Sequence, residues 1–184
     1  MIPKGLPRYP EVFKGKTVVV LASGPSLTKE LADSVKHLPR ICARRAVRMA
    51  PDADMIIAMD EYPNEGFWDE LGDFKGVKIC GANDPRTDAI YVPFPAEMFQ
   101  TDKAVKFIFN NGIAAIRLAV MTGASEILLL GFDPLKRGTF YDDEDQGPNG
   151  EVLYEGLDII LQNVIEELRS KGIIIRGIKQ LKEI

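Results

Sequence analysis

Imidazole, thiol and indole groups are scarce in this chain: one histidine, two cysteines and one tryptophan in 184 residues. The histidine, His37, falls at the end of an expected helix, just before Leu38 and Pro39, and reads as a helix-end residue. No Gly-x-Ser-x-Gly elbow is present for it to serve, which excludes the usual serine-hydrolase arrangement. Cys42 and Cys80 have no metal-ligand spacing, so zinc is not indicated. Each lies in or beside an apolar run and reads as a buried free thiol of a reducing compartment. No apolar run approaches the ~20 residues that span a bilayer. The first residues, Met1-Ile-Pro-Lys-Gly-Leu-Pro, lack the apolar centre of a secretory signal. The expectation is a cytoplasmic protein without a membrane span. A Gly-x-x-x-x-Gly-Lys-Ser/Thr loop is missing, which excludes a Walker ATPase. Gly-x-Gly-x-x-Gly is missing too, which disfavours a nicotinamide or flavin enzyme. The net charge of −4 argues against nucleic acid or a membrane surface as a broad partner, while leaving room for a local basic patch.

What is present is an alternation of strand and helix signals. Apolar strands are expected at 17–22, 40–43, 55–59, 77–80, 127–130 and 173–175, with a weaker one at 89–92. Helices are expected at 27–36, 66–74, 112–122 and 154–171. The last carries Leu157, Ile160, Leu161, Val164, Ile165 and Leu168 at the spacing of one apolar stripe. Gly123 and Gly172 read as helix stops. Fully apolar strands alternating with helices predict an α/β fold: a Rossmann-like three-layer sandwich with a mainly parallel central sheet. No repeat or linker divides the chain, so residues 1–184 are expected to form one domain. Residues 1–15 read as an N-terminal arm. Residues 134–153 read as a long polar loop or lid.

In such a sheet, ligands bind beyond the carboxyl ends of the strands. The first strand ends in Ser23-Gly24-Pro25-Ser26, a small-residue turn that leads into a helix. Backbone N–H groups and the helix dipole favour an anion at such a corner. Ser23, Gly24, Pro25 and Ser26 are therefore candidate phosphate-binding residues. Asp60, Asn83 and Asp133 follow later strands, and Asn111 and Gly112 open the buried alanine-rich helix. Asn111 is a candidate helix cap and a candidate reader of base or sugar. Arg40, Arg44, Arg45 and Arg48 form the one basic cluster, read either as a solvated helix face or as a phosphate clamp, with Arg44 the named candidate. Tyr141 is a candidate lid residue. The run Asp142-Asp143-Glu144-Asp145 reads as solvated carboxylates and assigns no metal.

Two blocks carry a family resemblance. Ser-Gly-Pro-Ser-Leu at 23–27 resembles the Gly-Pro-Ser-Leu corner of the 6-hydroxymethylpterin diphosphokinase-like proteins and of the bacterial lipooligosaccharide sialyltransferases. Asn110-Asn-Gly-Ile-Ala-Ala, followed by Thr-Gly-Ala-Ser and a strand ending in Gly131-Phe132-Asp133, is similar to the same superfamily's second motif. The resemblance implies a nucleotide against the 24–26 turn: a cytidine-monophosphate sugar in the sialyltransferases, or ATP with Mg2+ in the diphosphokinases. It places Asn111 and Gly112 in the polar loop, and Asp133 and Tyr141 near the donor. The chain departs from the sialyltransferases at two points. They use a late histidine as general base, and none follows His37. They carry an asparagine after the second strand, where Arg44 and Arg45 stand. Asp60 or Asp133 is then the candidate base or magnesium ligand, or the chemistry rests on positioning and charge stabilisation, and Tyr141 is the third catalytic candidate. Three readings follow: a transferase using a nucleotide-activated sugar, a magnesium-dependent diphosphokinase using ATP, and a non-catalytic nucleotide-binding protein.

Overall fold

The computed structural model describes residues 11–59, 67–80, 90–91, 110–133 and 157–177. Among these residues, seven strands form one sheet: β1 (Thr17–Leu21), β2 (Arg40–Ala43), β3 (Met55–Ala58), β4 (Val77–Cys80), β5 (Ile90–Tyr91), β6 (Glu126–Leu130) and β7 (Ile174–Gly177). Their order is β5-β4-β3-β2-β1-β6-β7, and every pairing is parallel. Among the described residues, four α-helices accompany them: α1 (Lys29–Ser34), α2 (Phe67–Glu70), α3 (Asn111–Met121) and α4 (Leu157–Ser170). A 3₁₀ turn spans Arg44–Arg48.

Alternation along each strand divides the core between the two faces of the sheet. Val18, Val20, Ile41, Ile57, Ile127 and Leu129 join the helical residues Ile113, Ile116, Leu118, Leu161 and Val164 on one side. Val19, Leu21, Cys42, Ile56, Leu128 and Leu130 meet Leu27, Ala32, Val47 and Phe67 on the other. The three-layer α/β sandwich expected from the apolar strands is therefore the fold observed. Direction explains which helices lie where. Steps from β1 towards β4 put α1, the 3₁₀ turn and α2 on one face. From β6 to β7 the chain steps the opposite way, and right-handed crossover then puts α4 on the opposite face, with α3 beside it. No helix of the described residues is long and apolar enough to cross a membrane.

Residues 11–15, the end of the expected arm, pack onto the sheet domain. Phe13 is buried at 5% exposure, and its N–H donates to the Thr122 carbonyl at 2.9 Å. Residues 11–15 thus close the end of α3. Both long helices stop where their glycines stand. Gly123 and Gly172 have φ of +92° and +86°, and the N–H of the residue after each reaches back to the helix: Ala124 to Ala119, Ile173 to Leu168.

Candidate functional site

Strand order fixes where a ligand crevice opens. From β1 the sheet grows to β2 on one side and to β6 on the other. The loops leaving these strands part in opposite directions, and the opening lies beyond the carboxyl ends of β1 and β6. The register aligns the residues there. Leu21 pairs with Cys42 of β2 and with Leu130 of β6. Ser23, Arg44 and Phe132 follow within two residues of these paired positions, at the same carboxyl edge.

Two glycines let the β1 and β6 turns touch. A Cβ on Gly131, whose φ is +71°, would lie 2.0 Å from the Ala22 carbonyl oxygen. A Cβ on Gly24 would lie 2.4 Å from the Gly131 carbonyl oxygen and 2.5 Å from Asp133 Oδ2. Gly24 is thus required by the protein's own packing, a reason the sequence reading did not supply. Its N–H donates to the Gly131 carbonyl at 2.9 Å. The Ser26 N–H donates to Asp133 Oδ2 at 2.8 Å, and the Leu27 N–H donates to the Gly24 carbonyl at 3.0 Å. Pro25 has no N–H and is exposed. Of the turn expected to hold a phosphate, the Gly24 and Ser26 N–H groups donate within the protein, and a carboxylate occupies the corner. The Ser26 hydroxyl oxygen is buried without a hydrogen-bond partner.

The helix after the turn also starts later than expected. α1 begins at Lys29 because Thr28 caps it, its hydroxyl accepting from the Leu31 N–H at 3.2 Å. Glu30 stands in the first turn. Its carboxyl is held below the ordinary value by its own backbone N–H and then by Thr28. An anionic group of the protein already faces this short helix start.

The opening of α3 joins the same edge. Asn110, not Asn111, is the cap: its Oδ1 accepts from Gly112 N–H at 2.8 Å and Ile113 N–H at 3.2 Å. Asn111 Oδ1 instead accepts from the Met59 N–H at 2.7 Å, tying the helix to the end of β3. That oxygen is therefore held by the backbone. Gly112 is explained by Phe132, whose ring carbon would lie 2.9 Å from a Cβ there. A continuous line of contacts thus runs from Ser26 through Asp133, Phe132, Gly112 and Asn111 to Met59. Ser23, Gly24, Ser26, Asn111, Gly112 and Asp133, chosen from separate parts of the chain, do meet at one edge.

The basic cluster separates. Arg40 opens β2 at the amino edge, is 3% exposed, and pairs with Asp52 at 2.9 Å. Arg44 leaves β2 at the carboxyl edge, half-buried. Its φ is +47°, a left-handed backbone on a residue that is not glycine. Its guanidinium carbon stands 6.0 Å above the centre of the Phe67 ring. Neither this backbone nor the phenylalanine under it had a signal in the sequence. His37 is exposed in the turn after α1, at the amino edge and away from the crevice.

Asp60, Asn83 and Tyr141 lie outside the described residues, as do the 134–153 loop and residues 1–10 of the arm. Among the described residues, no three His, Cys, Asp or Glu side chains are grouped to hold a metal ion. Compared with known proteins, the chain matches no protein-family model, no curated protein and no solved structure.

Proposed function

We propose that the chain is a nucleotide-binding transferase that holds a nucleotide-activated sugar at the carboxyl edge of the sheet. The observation that supports this most is the reversal of strand order between β1 and β6, with Asp133 at its mouth. In this reading an acceptor hydroxyl attacks the anomeric carbon of the donor. The bond from that carbon to the phosphate oxygen breaks, and the nucleotide leaves with the electron pair. Asp133 or Asp60 takes the hydroxyl proton, since no histidine reaches this edge. Positioning of the two substrates contributes the rest.

A second reading, ATP-dependent diphosphate transfer, is favoured by the donor set at the corner. Asp133 and the orphaned Ser26 hydroxyl are oxygen donors, which suit a hard cation such as Mg2+. Magnesium there would neutralise a diphosphate beside Asp133, and ATP oxygens would complete its coordination.

Thermal-shift measurements with nucleotides and nucleotide sugars, with and without magnesium, test both. Metal-independent stabilisation by a cytidine or uridine sugar supports the first reading. Stabilisation by ATP only with magnesium supports the second. No shift with any ligand at millimolar concentration rejects both.

A further inference from the structure

The two strands that flank β1 are followed by residues of opposite charge, Arg44 after β2 and Asp133 after β6. On the β6 flank, Asp133 is hydrogen-bonded to the Ser26 N–H and lies against Gly24. That flank repels a bare phosphate. A carboxylate accepts hydrogen bonds only, so it suits hydroxyl groups. On the β2 flank stands Arg44, the first residue after β2, at the same carboxyl edge as the turn that follows β1.

Arg44 also has an unusual backbone for its place. A left-handed conformation is unfavourable for a residue with a Cβ, and glycine would adopt it freely. Such outliers persist where the surroundings enforce them and gather at ligand sites. Here the twist turns the chain from β2 into the 3₁₀ turn while the guanidinium stays over Phe67, which is itself 2% exposed. A guanidinium held on a buried ring is oriented before a ligand arrives, and its planar fork matches phosphate oxygens.

We infer that the ligand's phosphate is seated against Arg44 at the end of β2, with its sugar hydroxyls turned to Asp133, and not on the 24–26 turn. This rests on the proposed nucleotide site and adds the direction in which the nucleotide lies. Arg44 is thus a specificity-determining residue for the anionic part of the ligand.

Calorimetric titration of the full chain with CMP, UMP and AMP, and with the matching nucleosides, tests it. Wild type is expected to bind at least one nucleotide more tightly than its nucleoside. Arg44→Gln should weaken that nucleotide about tenfold to a hundredfold, the range for a charge-assisted contact, and leave the nucleoside unchanged. Arg44→Gly should lose the same discrimination and keep nucleoside binding, because glycine adopts the left-handed backbone freely. Arg44→Lys should recover part of it. Asp133→Asn should weaken nucleoside and nucleotide alike. Unchanged discrimination in Arg44→Gln overturns the inference and leaves the proposed function standing. Tighter nucleotide binding by Asp133→Asn does the same, since it would put the phosphate on the turn. If wild type binds neither nucleotides nor nucleosides, the proposed function fails first and this inference falls with it.

Discussion

The Ser26 N–H donates to Asp133 Oδ2 at 2.8 Å across 107 residues of sequence. This contact requires the bare α-carbon of Gly24, because a Cβ there would lie 2.5 Å from the same carboxylate oxygen. Gly24→Ala must therefore push the two turns apart, and a destabilisation of about 1–3 kcal/mol is expected. In a chain of this size that lowers the melting temperature by roughly 2–12 °C. Pro25→Ala, at the exposed neighbouring position, should stay within about 0.5 kcal/mol of wild type. Equal melting temperatures for Gly24→Ala and wild type would show that the turns are not in this contact.

Asn110 and Asn111 are adjacent and have separate tasks. Asn110→Ala removes the cap of α3 and should cost about 1 kcal/mol, while Asn110→Ser should cost less. Asn111→Ala leaves the Met59 N–H without its acceptor, at a cost of about 1–3 kcal/mol. Hydrogen exchange separates the two. Met59 should exchange faster in Asn111→Ala, and Gly112 and Ile113 faster in Asn110→Ala. The same pattern of exchange in both variants would contradict the division.

How much of this was legible follows from what each residue needed as a neighbour. Val18 to Leu21 and Met55 to Ala58 are buried on both faces, and an unbroken apolar run is enough to read such a strand. Arg40–Ala43 and Val77–Cys80 begin and end where their composition changes. α1 begins two residues later than the expected helix because Thr28 caps it. Only the sheet order shows that the Ser26 N–H is taken by Asp133. The candidate residues were legible one at a time, since strand ends can be read locally. Their partners were not. Which carboxylate meets which turn, and which ring lies under Arg44, depends on β6 crossing to the far side of β1.

Cys42 is fully buried beneath the 3₁₀ turn, its thiol near the Ala50 carbonyl at 3.9 Å. Burial pushes the thiol well above its ordinary value, so the thiolate that reacts with disulfide reagents is scarcely populated. In native protein at pH 8, Cys42 should label only through unfolding, at a rate that rises with denaturant. Rapid labelling of Cys42 without denaturant would contradict the burial.

Glu167 of α4 receives both terminal nitrogens of Arg117 on α3, at 3.0 and 2.6 Å, and Lys171 adds a further contact. Arg117 is 7% exposed, so the pair fastens two helices on the same face of the sheet. The Arg117 hydrogen bonds are the main reason the Glu167 carboxyl is lowered from 4.5 to about 2, with burial opposing and Lys171 assisting. The folded-state value lies below the unfolded one. The contribution to stability is therefore complete above about pH 4.5, declines as the pH falls, and is lost near pH 2. Because the carboxylate is about one-third exposed, solvent screening reduces the effect to on the order of 1–2 kcal/mol. Glu167→Gln should lower the urea midpoint at pH 7 and flatten its decline between pH 4.5 and 2.5. Wild type and variant should converge at the acid end. Midpoints that stay parallel over that range would show that the Arg117–Glu167 pair does not hold α3 to α4.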